Sequence, residues 1–241
     1  IGHVEAGLRT GNMLSPFPEE ANRRLVSPLV SLHFAPTETA REALLNEGYD
    51  KEQIFVTGNT VIDALLMEIE RQSAESVEAT LHSDLTRAIG ADWLERDSIL
   101  VTGHRRENFG QGFEQICSAL DDLASRFSDM LIVYPVHLNP SVQQIVQQKL
   151  GNRENIRLIT PQPYSQFVAL ARRCRIILTD SGGVQEEAPT LCKPVLVMRD
   201  TTERPEGVEA GTVKLVGANA ESIVSEATLL LTDSGKYGQM A

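Results

Sequence analysis

The segment from Asp180 to Glu187 carries residue types that suit the binding of a phosphate group. Gly182 and Gly183 let the backbone approach a ligand closely, and Ser181 adds a hydroxyl donor. A helix that begins at these glycines would direct its first N–H groups and its positive dipole end to the same point. Glu187 would then lie about one turn inside, where a carboxylate can accept from both hydroxyls of a ribose. A plain turn whose acids complement the helix dipole is equally compatible with this spacing.

Three carboxylates near the start of the chain form a second candidate group. Glu5 follows a predicted strand, whereas Glu19 and Glu20 follow Pro18, which fits the first position of a helix. Acidic residues stabilise the first turn of a helix, so a structural role is favoured for that pair taken alone. Glu5 and Glu19, on neighbouring strand-end loops, would also suit general acid and base chemistry beside a diphosphate.

The histidines and cysteines give no metal-binding pattern. No two of the five histidines have ligand spacing, and the three cysteines are an odd number without metal-like spacing. His3 and His33 have strand-like neighbours, so we expect both to pack inside the fold. We therefore expect no metal site and reduced thiols.

Short β-branched runs alternate with segments of helical period from about residue 59 to 241. The runs are 98–102, 130–134, 156–159, 175–179, 194–198 and 213–216. This alternation predicts an α/β domain with a doubly wound parallel sheet that is covered on both faces. Residues 1–58 repeat the pattern on a smaller scale and are predicted to be part of a first Rossmann-like domain. Residues 70–97 are predicted to be a helical connector with a polar face.

Polar clusters follow four of the predicted strands. In open α/β sheets, ligands bind beyond the carboxyl ends of the strands, and two of these clusters carry arginine. The sequence therefore predicts an anion site on that rim of the larger domain. The clusters are Gly103–Asn108, Pro135–Asn139, Asp180–Gly183 and Arg199–Arg204.

Composition excludes several other classes of function. The chain has 241 residues, a net charge of −11 and 41% hydrophobic residues. Nucleic acids and anionic membrane surfaces attract basic proteins, so neither is an expected partner. The sequence has no apolar run of roughly 18–20 residues and no signal-peptide pattern, so we expect a cytoplasmic protein.

Taken together, the motifs resemble the bacterial non-hydrolysing UDP-N-acetylglucosamine 2-epimerases. They follow the order of that family along the whole chain, apart from a variable connector at 67–97. The motifs are His3–Thr10, Ser15–Arg23, Val56–Asp63, Thr102–Asn108, Tyr134–Pro140, Thr179–Ala188 and Arg199–Glu206.

The resemblance implies two Rossmann-like domains of the glycosyltransferase-B kind, with the active site between them. It implies reversible inversion at carbon 2 of UDP-N-acetylglucosamine to give UDP-N-acetylmannosamine, for cell-surface polysaccharide synthesis. In this chemistry UDP is eliminated to leave 2-acetamidoglucal and is then added back, with no NAD, metal or other cofactor. A homodimer is a further implication.

The resemblance also assigns roles to individual residues. Glu5, Glu19 and His104 would be catalytic, with His104 near the diphosphate. Arg105 and His137 would hold a second UDP-N-acetylglucosamine, which acts as an allosteric activator and promotes domain closure. Phe167 would lie beside the uracil, and a core role on the apolar stripe of its helix stays open. The substrate-binding set is Phe167, Ser181, Gly182, Gly183, Glu187 and Arg204.

The chain departs from the family pattern at its start. The resemblance implies a preceding half of the first domain, with a phosphate-contacting arginine and a catalytic aspartate, and a final helix after Ala241. We therefore expect poor turnover from this chain alone. Two other functions stay open, namely a nucleotide-sugar glycosyltransferase and a UDP-binding module without turnover. A hydrolysing relative that releases free N-acetylmannosamine is a minor variant.

Overall fold

The computed structural model describes residues 1–103 and 110–241, which form two compact units. Unit 1 comprises residues 1–64 and 201–204, and unit 2 comprises residues 65–200 and 205–241. The sequence pattern put the boundary at residue 58, where a strand had just ended. It also assigned 201–204 to the larger domain, whereas Arg204 hydrogen-bonds Glu5 in unit 1. A contact between residues so distant in sequence leaves no local pattern.

Unit 1 has a small parallel sheet in the order β1-β2-β3. Helix α2 is capped by Thr37, whose hydroxyl accepts from the backbone N–H of Ala40. Gly7 is required where the loop after β1 passes α2, because a Cβ there would lie 2.1 Å from the Ala40 carbonyl oxygen. The elements are β1 (Gly2–Val4), α1 (Glu19–Val26), β2 (Leu32–Ala35), α2 (Glu38–Asn46), β3 (Ile54–Val56) and α3 (Thr60–Gln72), which continues into unit 2.

The two faces of this small sheet differ. On one face Ala35 and Ile54 are buried with Ala40 and Leu44 of α2. The opposite face carries Val4, Leu32 and Phe55, which are 53%, 43% and 46% exposed. Parallel sheets are normally covered on both faces, so this apolar face is unusual for a soluble sheet.

Unit 2 has a six-stranded parallel sheet in the order β6-β5-β4-β7-β8-β9. This confirms the predicted doubly wound α/β class, and the predicted strands are correct to within one residue at each end. The strands are β4 (Ser98–Thr102), β5 (Leu131–Pro135), β6 (Ile156–Ile159), β7 (Ile176–Thr179), β8 (Val195–Val197) and β9 (Val213–Leu215). The helices are α4 (Glu75–Ile89), α5 (Gln111–Arg126), α6 (Pro140–Leu150), α7 (Tyr164–Arg173), α8 (Val184–Thr190), α9 (Pro205–Glu209), α10 (Ala220–Thr232) and α11 (Ser234–Met240).

Helices cover both faces of this sheet. Residues of α5, α6, α10 and α11 pack on one face, and residues of α4, α7 and α8 pack on the other. The segment at 70–97 is helical as predicted, but it is part of the second layer rather than a connector. Its Leu81, Leu85, Ile89 and Trp93 are all at most 6% exposed. The polar residues of α4 face outward, so the segment looks polar in composition although it has a buried stripe.

The order of the strands creates a switch point between β4 and β7. The chain moves outward from β4 through β5 to β6, and then returns to the other side of β4 with β7. Thr102 and Thr179 end these two strands in register, and their hydroxyl oxygens are 2.5 Å apart. Ligands of open α/β folds bind in the crevice at such a point.

Candidate functional site

The loop between β7 and α8 begins at the switch point of unit 2. Gly183 has an ordinary helical backbone, with φ −62° and ψ −41°, and no described heavy atom lies within 4 Å of where its Cβ would be. Neither strain nor packing against the described residues therefore requires a glycine there. Among the described residues, the N–H groups of Gly182 and Gly183 have no hydrogen-bond partner. The loop thus offers two donors and open space, which suits close approach of an anion.

Side chains of the strand ends hold this loop. The Thr179 hydroxyl accepts from the backbone N–H of Ser181 at 3.0 Å, and the Ser181 carbonyl accepts from the Gln185 amide at 3.1 Å. At the end of β4, the buried Tyr134 hydroxyl donates to the Gly103 carbonyl oxygen at 3.0 Å. The backbone at both sides of the switch point is therefore fixed by hydrogen bonds from within unit 2.

Glu187 lies in the first turn of α8 and is only 9% exposed. The Tyr164 hydroxyl donates to Glu187 Oε1 at 2.9 Å. Burial raises the pKa of Glu187, whereas the hydrogen bond from Tyr164 opposes this rise. Phe167, one turn after Tyr164, is half-buried and lines a small cavity together with Glu187. Its contact with the core agrees with the open core role, and its position beside Glu187 keeps the role beside a base open.

In unit 1, Glu5 is held at the end of β1 in a rare backbone conformation. Its φ is +65°, in the left-handed region that few residues other than glycine adopt. Its Oε1 accepts from Arg204 Nη2 at 2.9 Å and from Asn59 Nδ2 at 3.2 Å. The strain and the two donors fix the direction of this carboxylate.

Arg204 connects Glu5 to a buried ion-pair network. Its Nη1 donates to Glu203 Oε1 at 2.6 Å, and the side chains of Glu203 and Arg204 are 2% and 9% exposed. Arg23 Nη1 lies 4.0 Å from the same oxygen of Glu203. Burial lowers the pKa of Arg23, while the charges of Glu203, Glu5 and Glu19 raise it. Glu5, Glu19, Glu203, Arg23 and Arg204 therefore form one cluster with three acids and two bases.

The structure separates Glu19 from Glu20. Glu20 is fully buried and accepts from the backbone N–H groups of Thr10 and Gly11 and from Arg24. Its role is to hold the loop that follows Glu5. Glu19, half-buried in the same helical turn, instead faces the charge cluster around Arg23. Glu20 therefore has a structural role, although it holds a loop and was expected to complement the helix dipole, whereas Glu19 lies with Glu5 and Arg204.

The histidine predictions have different outcomes. His33 is fully buried against Tyr49, with ring centroids 4.9 Å apart, which confirms packing, and its strand neighbour His3 is half-buried. His137 is exposed after β5, and its Nδ1 accepts from the backbone N–H of Asn139 at 3.1 Å. His104 and Arg105 lie outside the described residues.

Several residues of these two sites were missed by sequence reasoning. Tyr164 and Asn59 hydrogen-bond the predicted Glu187 and Glu5, and Arg23 and Glu203 complete the charge cluster. Two local signals were available: Arg23 follows Glu19 by four residues, a spacing that shares a helix face, and Glu203 directly precedes Arg204. The contacts of Tyr164 with Glu187 and of Asn59 with Glu5 join residues far apart in sequence.

The described residues contain neither a metal-ligand cluster nor a membrane-spanning helix. Within residues 1–103 and 110–241, no cluster of three or more His, Cys, Asp or Glu side chains has the arrangement of a metal site. No helix in the same ranges is long and apolar enough to cross a bilayer.

Known proteins of one family are similar to this chain over its whole length. The family model described as UDP-N-acetylglucosamine 2-epimerase matches residues 1–241. The UDP-N-acetylglucosamine 2-epimerase of Escherichia coli K12 is 55% identical over 241 residues, which are 100% of this chain and 63% of that protein. This chain therefore spans less than two thirds of the curated relatives that it matches.

Solved structures are similar to this chain over nearly its whole length. A UDP-GlcNAc 2-epimerase from Neisseria meningitidis bound to UDP-GlcNAc has a TM-score of 0.95 and 48% identity, covering 100% of this chain and 64% of that one. The enzyme from Methanocaldococcus jannaschii in complex with UDP-GlcNAc and UDP has a TM-score of 0.83 and 35% identity, covering 99% and 66%. Both agree with the predicted pair of Rossmann-like domains, of which the first is covered only in part.

Proposed function

Since the chain belongs to the UDP-N-acetylglucosamine 2-epimerase family, we propose that it serves the reversible inversion of UDP-N-acetylglucosamine at carbon 2. The product is UDP-N-acetylmannosamine. The observation that carries the proposal is the carboxylate of Glu5, which a strained backbone and Arg204 hold in a fixed direction. Strained backbone residues of this kind cluster at active sites and ligand-binding positions.

Unit 2 is proposed to hold the UDP part of the substrate. The N–H groups of Gly182 and Gly183, which donate to no described residue, and the hydroxyl of Ser181 would donate to the diphosphate. Glu187 would accept from the ribose hydroxyls, and Phe167 would lie beside the uracil. Such contacts keep UDP bound after its bond to the sugar breaks, so that it remains positioned for the return step.

Unit 1 is proposed to supply acid and base groups for carbon 2. Glu5 and Glu19 are the candidates, because both belong to the charge cluster around Arg23 and Arg204. Arg204 Nη2 lies 2.9 Å from Glu5 Oε1 and holds that carboxylate in place for such a role. Glu203 is buried beside Arg204 and fixes its guanidinium, so it orients rather than reacts.

The proposed chemistry needs both sets of groups. The proton on carbon 2 is not next to a carbonyl, so its removal is coupled to departure of the diphosphate from carbon 1. The pair of electrons from the C–H bond forms the C1=C2 double bond of 2-acetamidoglucal, and the C–O electrons leave with UDP. In the return step UDP bonds to carbon 1, and a proton is delivered to the other face of carbon 2.

His104, Arg105 and His137 complete the proposal. His104 would act near the diphosphate, and Arg105 and His137 would hold a second UDP-N-acetylglucosamine as activator. A cytoplasmic homodimer that supplies cell-surface polysaccharide synthesis is part of the same proposal. For His137, its exposed position after β5 supports access by such a ligand.

Two other functions are weighed against this one. A glycosyltransferase shares the glycine loop and the ribose carboxylate, but it does not need Glu5 and Glu19 in this arrangement. A UDP-binding module without turnover is favoured if the region beyond the match supplies essential groups. We propose that it does, so that this chain alone binds UDP and turns over poorly.

The test follows the products of UDP-N-acetylglucosamine by proton NMR. The chain is assayed alone and fused to the segment of the Escherichia coli K12 relative that lies outside the match. UDP-N-acetylmannosamine from the fusion supports the proposal. Release of UDP only with an added acceptor identifies a glycosyltransferase, and free N-acetylmannosamine identifies a hydrolysing relative. If the chain alone turns over as fast as the fusion, the segment from the Escherichia coli K12 relative is not needed, which contradicts this part of the proposal.

A further inference from the structure

The hydroxyl of Tyr164 is the one described side-chain group that hydrogen-bonds Glu187. Glu187 belongs to α8 and Tyr164 is the first residue of α7, so the contact joins two helices of unit 2. Glu187 as a residue is 9% exposed, whereas Tyr164 is 43% exposed. The hydroxyl therefore reaches from a solvent-facing ring to a carboxylate that has little access to water.

The start of α7 is held in place by the end of α3. The Ser165 hydroxyl donates to Glu68 Oε1 at 2.5 Å, and the Ser165 carbonyl accepts from the Gln72 amide at 2.8 Å. Arg71 adds a hydrogen bond to the Ser165 hydroxyl oxygen at 2.6 Å and pairs with Glu68. Because Tyr164 directly precedes this anchored residue, its backbone position is fixed without any ligand.

This contact opposes the effect of burial on the charge of Glu187. Burial alone favours a protonated acid, which donates one hydrogen bond, whereas a ribose presents two donor hydroxyls. Donation by Tyr164 favours the ionised form, in which both oxygens accept. Tyr164 occupies one acceptor position on Oε1, so Oε2 and the rest of Oε1 stay available to a vicinal diol.

We propose that Tyr164 is a positioning residue for Glu187, through which the site prefers a ribonucleoside diphosphate to the corresponding 2′-deoxyribonucleoside diphosphate. The inference rests on the proposed function, in which Glu187 receives the ribose of UDP. It assigns to α7 a role in recognition of the sugar that is separate from the contact of Phe167 with the base.

One alternative predicts the opposite change in UDP affinity when the Tyr164 hydroxyl is removed. If the Tyr164 hydroxyl occupies the place of a ribose hydroxyl, a ligand has to displace it. Removal of the hydroxyl would then strengthen UDP binding. Because one role predicts weaker UDP binding and the other predicts stronger binding, affinity measurements distinguish them.

The experiment compares the affinities of UDP and 2′-deoxy-UDP by isothermal titration calorimetry. The proteins are the unchanged chain, Tyr164→Phe, Glu187→Gln and a matched control, Tyr237→Phe. The Tyr237 hydroxyl also donates a hydrogen bond within unit 2, but its acceptor is the backbone oxygen of Arg175 and it lies on α11. Because Tyr164 is partly exposed, loss of its hydroxyl leaves the fold intact, which the emission of the single tryptophan, Trp93, reports.

The unchanged chain and Tyr237→Phe are expected to prefer UDP by about tenfold or more. In Tyr164→Phe the preference is expected to shrink to about threefold or less, mainly through weaker UDP binding, and Glu187→Gln is expected to behave alike. A Tyr164→Phe protein that keeps the full preference, or that binds UDP more tightly, overturns the inference while UDP binding stands. If the unchanged chain does not bind UDP, the proposed function fails and this inference with it.

Discussion

Replacement of Gly183 by alanine separates a ligand requirement from a folding requirement. The backbone of Gly183 is helical, and no described atom lies within 4 Å of the added methyl group. An alanine is therefore tolerated in the fold and reduces the freedom of the unfolded chain. We expect the free energy of unfolding to rise by about 0.4–1 kcal/mol.

The same methyl group would occupy the open space in which a phosphate oxygen reaches the Gly183 N–H. A hydrogen bond of this type needs a donor–acceptor distance of about 2.7–3.2 Å, which a methyl group beside the nitrogen obstructs. Loss of one hydrogen bond to a charged group is worth about 1.5–3 kcal/mol. We therefore expect Gly183→Ala to weaken UDP binding roughly 10- to 100-fold.

Gly238→Ala is the matched control. Gly238 lies in α11 and also has no atom near its missing Cβ among the described residues. Stability is measured by urea unfolding with the emission of Trp93, and UDP affinity is measured by calorimetry. Both variants should gain stability, and only Gly183→Ala should lose affinity. Equal UDP affinity of Gly183→Ala and the unchanged chain would refute the reasoning that the loop contacts the diphosphate.

Three further predictions concern stability and surface. Glu20→Ala removes a fully buried carboxylate that accepts from the N–H groups of Thr10 and Gly11, so we expect a loss of about 1.5–3 kcal/mol and faster hydrogen exchange at both amides. Hydrogen bonds, above all the one from Arg71, lower the pKa of Glu68 from 4.5 to about 2, so its contribution to stability is complete above pH 4.5 and disappears as the pH falls through 2. On acid titration, Glu68→Gln should lose less stability over this range than the unchanged chain. An equal loss in both proteins would contradict the lowered pKa of Glu68. The apolar face of unit 1 should bind a hydrophobic fluorescent dye, and Phe55→Lys should reduce that signal; an unchanged signal places the dye elsewhere.

The strands and the class of fold could be predicted because buried parallel strands are nearly continuous apolar runs. The run at 176–179 is one example, since all four of its residues are buried. The order of the strands was not predictable, because several orders bury the same runs. The switch point beside Thr102 and Thr179 therefore emerged only from the structure.

The candidate site was predictable only where a motif is local. The glycine loop and Glu187 form one continuous segment, so its chemistry is visible in the sequence. Glu19 and Glu20 have the same residue type in the same helical turn, and only the positions of Thr10 and Gly11 assign Glu20 to the loop. The bond from Arg204 to Glu5 joins residues at opposite ends of the chain, which a single sequence does not reveal.

The central claim is tested most directly by exchange at carbon 2 in heavy water. The fusion described above is incubated with UDP-N-acetylglucosamine, and both nucleotide sugars are examined by NMR, with Glu5→Gln and Glu19→Gln beside the unchanged sequence. We predict deuterium at carbon 2 of both epimers, with strongly reduced exchange in each variant. Epimers without deuterium at carbon 2, or UDP bound firmly with no exchange at all, would contradict inversion through elimination and re-addition.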